Sequence, residues 1–313
     1  MEMVLNAKGL LYLPSIQFMN KQKSNAIRSA ETVAALRAAT AQEEDICIQC
    51  EDYLAKFFIG YKYRLITSIK PQWLLQKLIE AMSPGSYCFA IIRTKFFDEI
   101  LLKEISRDIE QVVILGAGYD TRGIRFKAHL KNIKVFEVDF PGTQKNKRKK
   151  LVHLPEEIPS NIHYIPLDFN ERPFQEGLIE AGFSKKKRTL FLWEGVSYYL
   201  PEKVVVGVLS FISQCAAGSS IVFDYATRKF VNGDHSTHGG KEIAKWLAKI
   251  KEPFLFGLNA DEISPFLSKQ NLSVVTDCGP EEQENMYLRN RNGKIIGQTL
   301  GHVRMVHARI SDK

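Results

Sequence analysis

The sequence predicts an α/β fold with a Rossmann-like sheet of about seven strands, an antiparallel closing strand and a helical N-terminal cap. Three observations support this prediction. Residues 112–115 form a short apolar, β-branched run that leads into Gly116-Ala117-Gly118. Strand-like and helix-like segments then alternate as far as residue 226. Acidic residues follow the ends of successive strands. This alternation is typical of a parallel sheet covered by helices.

The N-terminal part of the chain, residues 1–108, is predicted to be a helical cap on a core formed by residues 109–313. Alanine-rich composition and apolar residues at helical spacing predict helices over residues 24–44, 45–58, 71–82 and 94–108. Cys47 and Cys50 fit helical spacing of small apolar residues better than a metal or redox site, because no second ligand pair accompanies them.

The turn after the first strand predicts a nucleotide-type site without a phosphate. Gly116 and Gly118 allow a tight turn and a close approach of ligand to main chain. Asp120 and Thr121 are expected at a helix N-cap, beside unpaired N–H groups. Thr121 stands where a dinucleotide fingerprint has its third glycine, and Asp120 would repel pyrophosphate. S-adenosylmethionine, which has an adenosine end, a cationic centre and no phosphate, fits this turn better.

Acidic residues lie at the ends of the next three predicted strands, residues 134–139, 161–169 and 189–195. Glu137 is placed to accept both hydrogen bonds of a ribose diol, and Asp168 to bind an adenine amino group. Glu194 ends the fourth strand. The carboxyl ends of parallel strands meet at one crevice, so these side chains are expected to converge near Gly116.

The rest of the chain completes the sheet. Residues 219–226 predict a fifth strand, and a strand pair is expected within residues 272–279 and 302–310. Between them, residues 228–260 break the alternation and predict a substrate lid. His235 and His238 in this insertion fit loop or substrate contact better than metal binding, since no third ligand lies nearby. We predict no metal site.

Composition excludes several classes of protein. The net charge of +8 is too modest to indicate nucleic acid by itself, although it suits acidic ligands. No apolar run approaches the length of a membrane span, and the N-terminus lacks the features of a signal peptide. Scattered cysteines suit a reducing compartment, so a cytoplasmic location is expected. The sequence does not predict the oligomeric state.

Five segments together resemble the leucine carboxyl methyltransferase family, which includes bacterial proteins similar to polyketide O-methyltransferases. GAGYDTRGIR (116–125) resembles its G-x-G-x-D-T-R-x-x-R signature. The other four segments are SAETVAALRA (29–38), IRTKFFDEIL (92–101), VFEVDFPGTQKNK (135–147) and LFLWEGVSYYL (190–200). They occur in the order of the family's motifs and span roughly residues 24–200. Lys145 and Lys147 both compete for the family's lysine position.

This resemblance implies a class I S-adenosylmethionine-dependent methyltransferase with a helical cap, releasing S-adenosylhomocysteine. By resemblance, Arg93 would hold the cofactor carboxylate, and Arg37 would help to close the site. The Gly116–Gly118 turn would line the methionine end, with Glu194 near its amino group. Glu137 would bind the ribose, and Asp168 would bind the adenine.

The predicted reaction is O-methylation of a carboxylate, on a small acidic acceptor or a protein C-terminus. A carboxylate is already ionised at neutral pH, and no general base is evident at the strand ends. Tyr198 and Tyr199 are the candidate substrate-contacting, catalytic residues. O-methylation of a phenolic or polyketide hydroxyl remains the main alternative. A dinucleotide-dependent oxidoreductase, a nucleic-acid methyltransferase and a catalytically silent protein also remain open.

Overall fold

The computed structural model describes residues 15–167 and 174–310, with side chains described from residue 27 onward. These residues form one seven-stranded sheet. Its strands are β1 (Gln111–Leu115), β2 (Lys134–Asp139), β3 (Ile162–Pro166), β4 (Thr189–Trp193), β5 (Ser220–Ala226), β6 (Leu272–Cys278) and β7 (Val303–Ile310). Their spatial order is β3-β2-β1-β4-β5-β7-β6. The first five strands are parallel, and β7 runs antiparallel between β5 and β6. The predicted fold class is confirmed.

The strand order creates the crevice that organises the molecule. The chain moves from β1 outward to β2 and β3, then returns to the other side of β1 and continues through β4 and β5. The order therefore reverses between β1 and β4, the position at which open α/β sheets bind ligands. The register aligns Ile114 with Glu137 of β2 and with Leu192 of β4, so these three strands end at similar heights.

Helices cover both faces of the sheet. The helices are α1 (Ser15–Thr40), α2 (Tyr61–Thr67), α3 (Gln72–Met82), α4 (Ser86–Ile105), α5 (Arg122–Arg125), α6 (Pro141–Leu151), α7 (Phe174–Glu180), α8 (Glu202–Ile212), α9 (Arg228–Val231), α10 (Gly240–Ile250), α11 (Ile263–Ser268) and α12 (Pro280–Tyr287). None of these described helices has the length and apolar character needed to span a bilayer.

Two helix predictions were wrong in part. Residues 45–58 form turns and a short 3-10 helix, Ala55–Phe57, instead of a second long helix. Asp52 there accepts a hydrogen bond from the Ala55 N–H at 3.1 Å and one from the Thr121 hydroxyl at 2.7 Å. This side chain competes with helical hydrogen bonding for the local backbone. Helix α4 begins at Ser86, eight residues before the predicted start, because it is buried on nearly every side and shows no polar face.

Alternating residues of each strand belong to two hydrophobic clusters, one on each face of the sheet. Val112, Ile114 and Val135 pack with α1 and α4 on one face. Residues of opposite parity, such as Val113 and Phe136, pack with α7 and α8 on the other face. The two-residue period of a strand divides the side chains in this way, and burial on both faces explains the continuous apolar runs. The sheet is thus a rigid platform beneath the crevice.

Candidate active site

A cavity of about 540 Å³ opens at the carboxyl ends of β1, β2 and β4. This volume falls in the range of roughly 300–1,000 Å³ that is usual for small-molecule sites. Part of its lining comes from the turn after β1, the end of β2 and Arg37 of α1. Another part comes from the segment after β4 and from residues of and after α10. The cavity therefore joins the predicted cofactor turn to the predicted lid.

The turn after β1 has the backbone geometry that requires glycine. Gly116 and Gly118 have φ of 69° and 47°, in the left-handed region. A Cβ at Gly116 would also lie 2.5 Å from Cγ2 of Val196. The N–H of Gly118 donates to the Asp139 carboxylate, and that of Gly116 donates to the Val138 carbonyl at 2.8 Å. Gly116, Ala117 and Gly118 all line the cavity.

Glu194 is surrounded by three guanidinium groups. Its carboxylate lies 3.1 Å from Nε of Arg93, 2.7 Å from Nη1 of Arg122 and 3.9 Å from Nη1 of Arg37. Arg37 also donates to the Tyr119 carbonyl at 2.7 Å. The structure thus brings together Arg37, Arg93 and Glu194, which are far apart in the chain. All three line the cavity.

Below the cavity, the ionic network continues into the protein. Arg122 pairs with Asp98 at 2.7 Å and with Asp120. Arg125 reaches Asp98 at 2.8 Å and Asp52 at 3.5 Å. The following side chains complete it: Thr121, which donates to Asp52 at 2.7 Å, and Asp224, which lies 3.3 Å from Arg93. Asp120 lines the cavity, whereas the buried Thr121 hydroxyl is occupied by Asp52 and Arg125.

The four arginines face five carboxylates in this network. Burial raises the pKa of Asp120, but Arg122, Lys147 and Arg37 outweigh it and lower that pKa to about 2. Burial is likewise outweighed by the arginines around Glu194, whose pKa is lowered. Burial dominates at Asp224 and raises its pKa to about 6. The excess of one carboxylate suits a ligand with a net positive charge, such as a sulfonium that also carries an ammonium and a carboxylate.

The structure places Asp139, and not Glu137, at the cavity. Glu137 is only 1% exposed and pairs with Lys147, so it does not line the cavity. Lys147 also donates to the Asp120 carbonyl at 2.6 Å, which identifies Lys147 rather than Lys145 as the internal lysine. Asp139, two residues further along β2 on the same face, reaches the cavity. Burial raises the pKa of Asp139 to about 6.

The remaining predicted residues divide into two groups. Asp168 lies outside the described residues. Tyr198 and Tyr199 follow β4 and line the cavity. Burial raises the pKa of both phenols above the usual value, so both remain protonated at neutral pH.

The two histidines of the predicted lid, His235 and His238, form their contacts outside the cavity lining. His235 packs against the Phe230 ring, with centroids 4.9 Å apart, and His238 lies 4.0 Å from Glu80. Neither histidine lines the cavity. Within residues 15–167 and 174–310, no group of three or more His, Cys, Asp or Glu side chains has the arrangement of a metal site.

Several site residues were missed from the sequence. The sequence pattern does not distinguish Asp139 from Glu137, because both lie at the end of the second strand and on the same face of it. Arg122 and Asp98 lie within GAGYDTRGIR and IRTKFFDEIL, but their sequence context does not predict a role for them. Asp224 and Trp246 carried no motif, and only the tertiary structure brings them to the network and the cavity.

Solved structures share the fold of this chain. A Streptomyces avermitilis protein of the DUF574 family matches with a TM-score of 0.57 at 12% identity, covering 89% of this chain and 96% of that one. A structure from Thermobifida fusca, named as a methyltransferase, matches with a TM-score of 0.55 at 14% identity, covering 90% and 94%. At this level of identity the likeness concerns the fold.

Sequence relatives define the class. YktD of Bacillus subtilis, which carries the name of an S-adenosyl-L-methionine-dependent methyltransferase, is 30% identical over 218 residues, covering 69% of this chain and 71% of YktD. A Parafrankia protein with the same type of name is 28% identical, covering 68% and 67%. The fold, the site and these relatives define an S-adenosylmethionine-dependent methyltransferase. Residues 30–213 match the leucine carboxyl methyltransferase family, and the chain belongs to that family.

Proposed function

We propose that this protein transfers the methyl group of S-adenosylmethionine to a carboxylate oxygen of a small acidic acceptor. The observation that supports this best is the cavity itself. It joins a glycine turn that is open to a cofactor with a second part where, among the described residues, no histidine is present to act as a base.

The cofactor is proposed to lie along the turn after β1. Arg93 binds its carboxylate, and Glu194 lies near its ammonium group. Gly116, Ala117 and Gly118 pack against the methionine portion, and Asp120 contributes negative charge. Asp139 replaces Glu137 as the acceptor of the ribose hydrogen bonds, because Asp139 is the carboxylate that reaches the cavity. Thr121 and Arg37 support this arrangement from behind through Asp52, which both contact.

The reaction needs positioning more than acid–base chemistry. A lone pair of the acceptor carboxylate forms the new O–CH₃ bond while the S–CH₃ bond breaks. The bonding pair stays on sulfur, which becomes the neutral thioether of S-adenosylhomocysteine. No proton is transferred, so the protonated phenols of Tyr198 and Tyr199 serve as contacts for the acceptor and not as bases. Alignment in a water-poor site supplies most of the rate enhancement.

The organisation of the chain fits this proposal. Residues 1–108 act as a helical cap, because α1 and α4 supply Arg37 and Arg93 to a core formed by residues 109–313. The insertion near residues 228–260 acts as a lid, because it supplies Trp246 and the residues after it to the cavity. All five cysteines are free, which suits a reducing compartment such as the cytoplasm.

Substituting Asp139 with asparagine is expected to weaken S-adenosylhomocysteine binding by about 1.5–3 kcal/mol, the usual loss for a hydrogen bond to a charged group. The ribose diol donates to an ionised carboxylate, and burial raises the pKa of Asp139 to about 6. Wild-type affinity should therefore rise as the pH increases through about 6, and Asp139→Asn should show a shallower rise. Isothermal titration calorimetry between pH 5 and 8 measures both effects.

Glu137→Gln is the matched control, because it neutralises the neighbouring acid on the same face of β2. It should reduce thermal stability by leaving Lys147 without its ionic partner, with a smaller effect on affinity. A larger loss of affinity in Glu137→Gln than in Asp139→Asn would show that Glu137, and not Asp139, binds the ribose. In the same titrations, NAD should give no binding heat, and tight NAD binding would contradict the proposed cofactor.

The methylated product is expected to be an ester. Transfer of a radiolabelled methyl group to the acceptor should give a product that releases labelled methanol on mild alkaline treatment. The rate should change little from neutral pH upward until the fold fails, because the nucleophile is already ionised. A base-stable product, together with a rate that climbs with pH, would support methylation of a hydroxyl instead.

A further inference from the structure

The part of the cavity lining that follows β4 and that belongs to α10 and the loop after it differs from the proposed cofactor part. It contains Tyr199, Leu200, Trp246, Pro253 and Leu255, together with Lys251 and Glu252. In contrast, the cofactor part holds Arg37, Arg93, Glu194, Asp120 and Asp139. The proposed cofactor part is thus lined by a dense ionic network, whereas the acceptor part combines aromatic and aliphatic surface with one lysine and one glutamate.

Helix α10 places Trp246 at the cavity. Ile243 packs against the small cluster of Phe89, Leu300 and Val303, and Leu247 is only 4% exposed. Trp246 lies on the same stripe, since residues three and four apart share a helix face. The helix is bounded by Gly239 and Lys251, both with left-handed backbone angles. This side chain is thus directed toward the ligand space by anchors on either side of it.

A second aromatic group is fixed to the end of β4. The ring centroids of Tyr198 and Phe254 are 4.2 Å apart, and those of Tyr199 and Phe254 are 5.0 Å apart. The N–H of Leu255 donates to the Tyr198 carbonyl at 2.7 Å. These contacts join the loop after α10 to the turn after β4. Aromatic side chains held in this way form rigid walls that select flat partners.

We propose that the acceptor is an aryl carboxylate, a carboxylic acid attached to or directly beside an aromatic ring. This inference rests on the proposed function. Lys251 lines this part of the cavity and supplies a cation for the carboxylate whichever form of the cofactor is bound, so the aromatic walls remain to bind the ring. A flat ring against Trp246 and Tyr199 gains both apolar burial and aromatic contact, whereas a saturated ring of similar size gains only burial.

The test compares benzoate with cyclohexanecarboxylate, which has the same charge and a similar size but no aromatic face. Both are titrated into the protein saturated with S-adenosylhomocysteine, in a Trp73→Phe background. Trp73 is 57% exposed on α3, and Trp193 is buried in β4, so a change in emission then reports on Trp246. We expect benzoate to alter the emission and to bind about tenfold more tightly than cyclohexanecarboxylate, as measured by calorimetry.

Two variants show whether Trp246 provides this preference. Trp246→Ala should reduce the preference for benzoate to about twofold or less, and Trp246→Phe should retain most of it. Trp73→Ala, a control on a distant surface helix, should leave it unchanged. Equal binding of the two acids by the wild type, or a preference that survives in Trp246→Ala, would overturn the inference.

The outcomes also separate this inference from the proposed function. A protein that binds S-adenosylhomocysteine but captures only a peptide with a free C-terminal leucine carboxylate keeps the methyltransferase assignment and overturns the aryl acceptor. A protein that binds no S-adenosylhomocysteine overturns the proposed cofactor site, and the aryl acceptor with it.

Discussion

Arg93→Lys is expected to weaken cofactor binding by about 100-fold, close to 3 kcal/mol, which is the upper range for hydrogen bonds to charged groups. Arg93 lies 7% exposed between Glu194 at 3.1 Å and Asp224 at 3.3 Å. Those two carboxylates contact Nε and Nη1 and orient the guanidinium, whose remaining N–H groups are proposed to bind the cofactor carboxylate. A lysine ammonium keeps the charge but loses this fork geometry. Calorimetric titration with S-adenosylhomocysteine measures the loss.

Arg107→Lys is the matched control. Arg107 follows the same helix, α4, at its other end, and its side chain is 49% exposed. This variant should bind the cofactor as the wild type does. The loss of stability of Arg93→Lys, measured by thermal unfolding, should be smaller than its loss of binding free energy, since the positive charge remains between the two acids. An affinity within threefold of wild type would remove Arg93 from the cofactor site.

Arg122→Met is expected to lower the free energy of unfolding by about 3–5 kcal/mol at pH 7, the usual cost of breaking a buried ion pair from one side. Arg122 is 2% exposed and pairs with Asp98, Asp120 and Glu194. Methionine fills a similar volume but leaves those three carboxylates without their central cation. Urea denaturation of the two proteins provides the measurement.

The loss of stability in Arg122→Met should also depend on pH. In the wild type the pKa of Asp120 is lowered to about 2, mainly by Arg122 against the effect of burial. A lowered pKa in the folded state stabilises the fold above the unfolded value, near 3.8, and this stability is lost as the pH falls toward 2. Without Arg122 the acid becomes easier to protonate. The difference in the free energy of unfolding between Arg122→Met and the wild type should therefore become smaller as the pH is lowered from 7 to 4.

Arg289→Met controls for the loss of a surface arginine. Arg289 is exposed and donates to the Gly293 carbonyl of its own loop and to Asn285 of the preceding helix α12. Its substitution should change stability by about 0.5 kcal/mol or less. If Arg122→Met were equally mild at every pH, the buried network would contribute to neither stability nor the shape of the site.

The local sequence determined much of the site because its signals are short-range. Gly116 and Gly118 are required by the backbone angles of a tight turn, and that requirement is visible wherever a strand pattern precedes them. Glu194 follows a strand whose apolar run predicts burial on both faces. Family resemblance then connected these residues with Arg93 and Arg37, which no local pattern could place in the same cavity.

Local sequence could not distinguish between two similar residues that lie close together in the chain. Glu137 and Asp139 both end β2, and both Lys145 and Lys147 follow it in α6. One member of each pair is selected by how β2 and α6 pack together, which buries Glu137 on Lys147 and leaves Asp139 at the cavity. The expected helix over residues 45–58 was wrong for a related reason. Asp52 forms contacts with Thr121 and Arg37 that outweigh local helical preference.

By itself, then, the sequence determined the α/β sheet, the glycine turn and the methyltransferase family, because strand periodicity, glycine geometry and ordered motifs are encoded by residues close together in the chain. The tertiary structure decided which acid reaches the cavity, which arginines surround Glu194, and that Trp246 lines the cavity. Those outcomes depend on how whole elements pack together, some of them far apart in the chain, as with Arg93 and Asp224, which are 131 residues apart. Charges so distant in sequence come to interact only when burial brings them into a common low-dielectric interior.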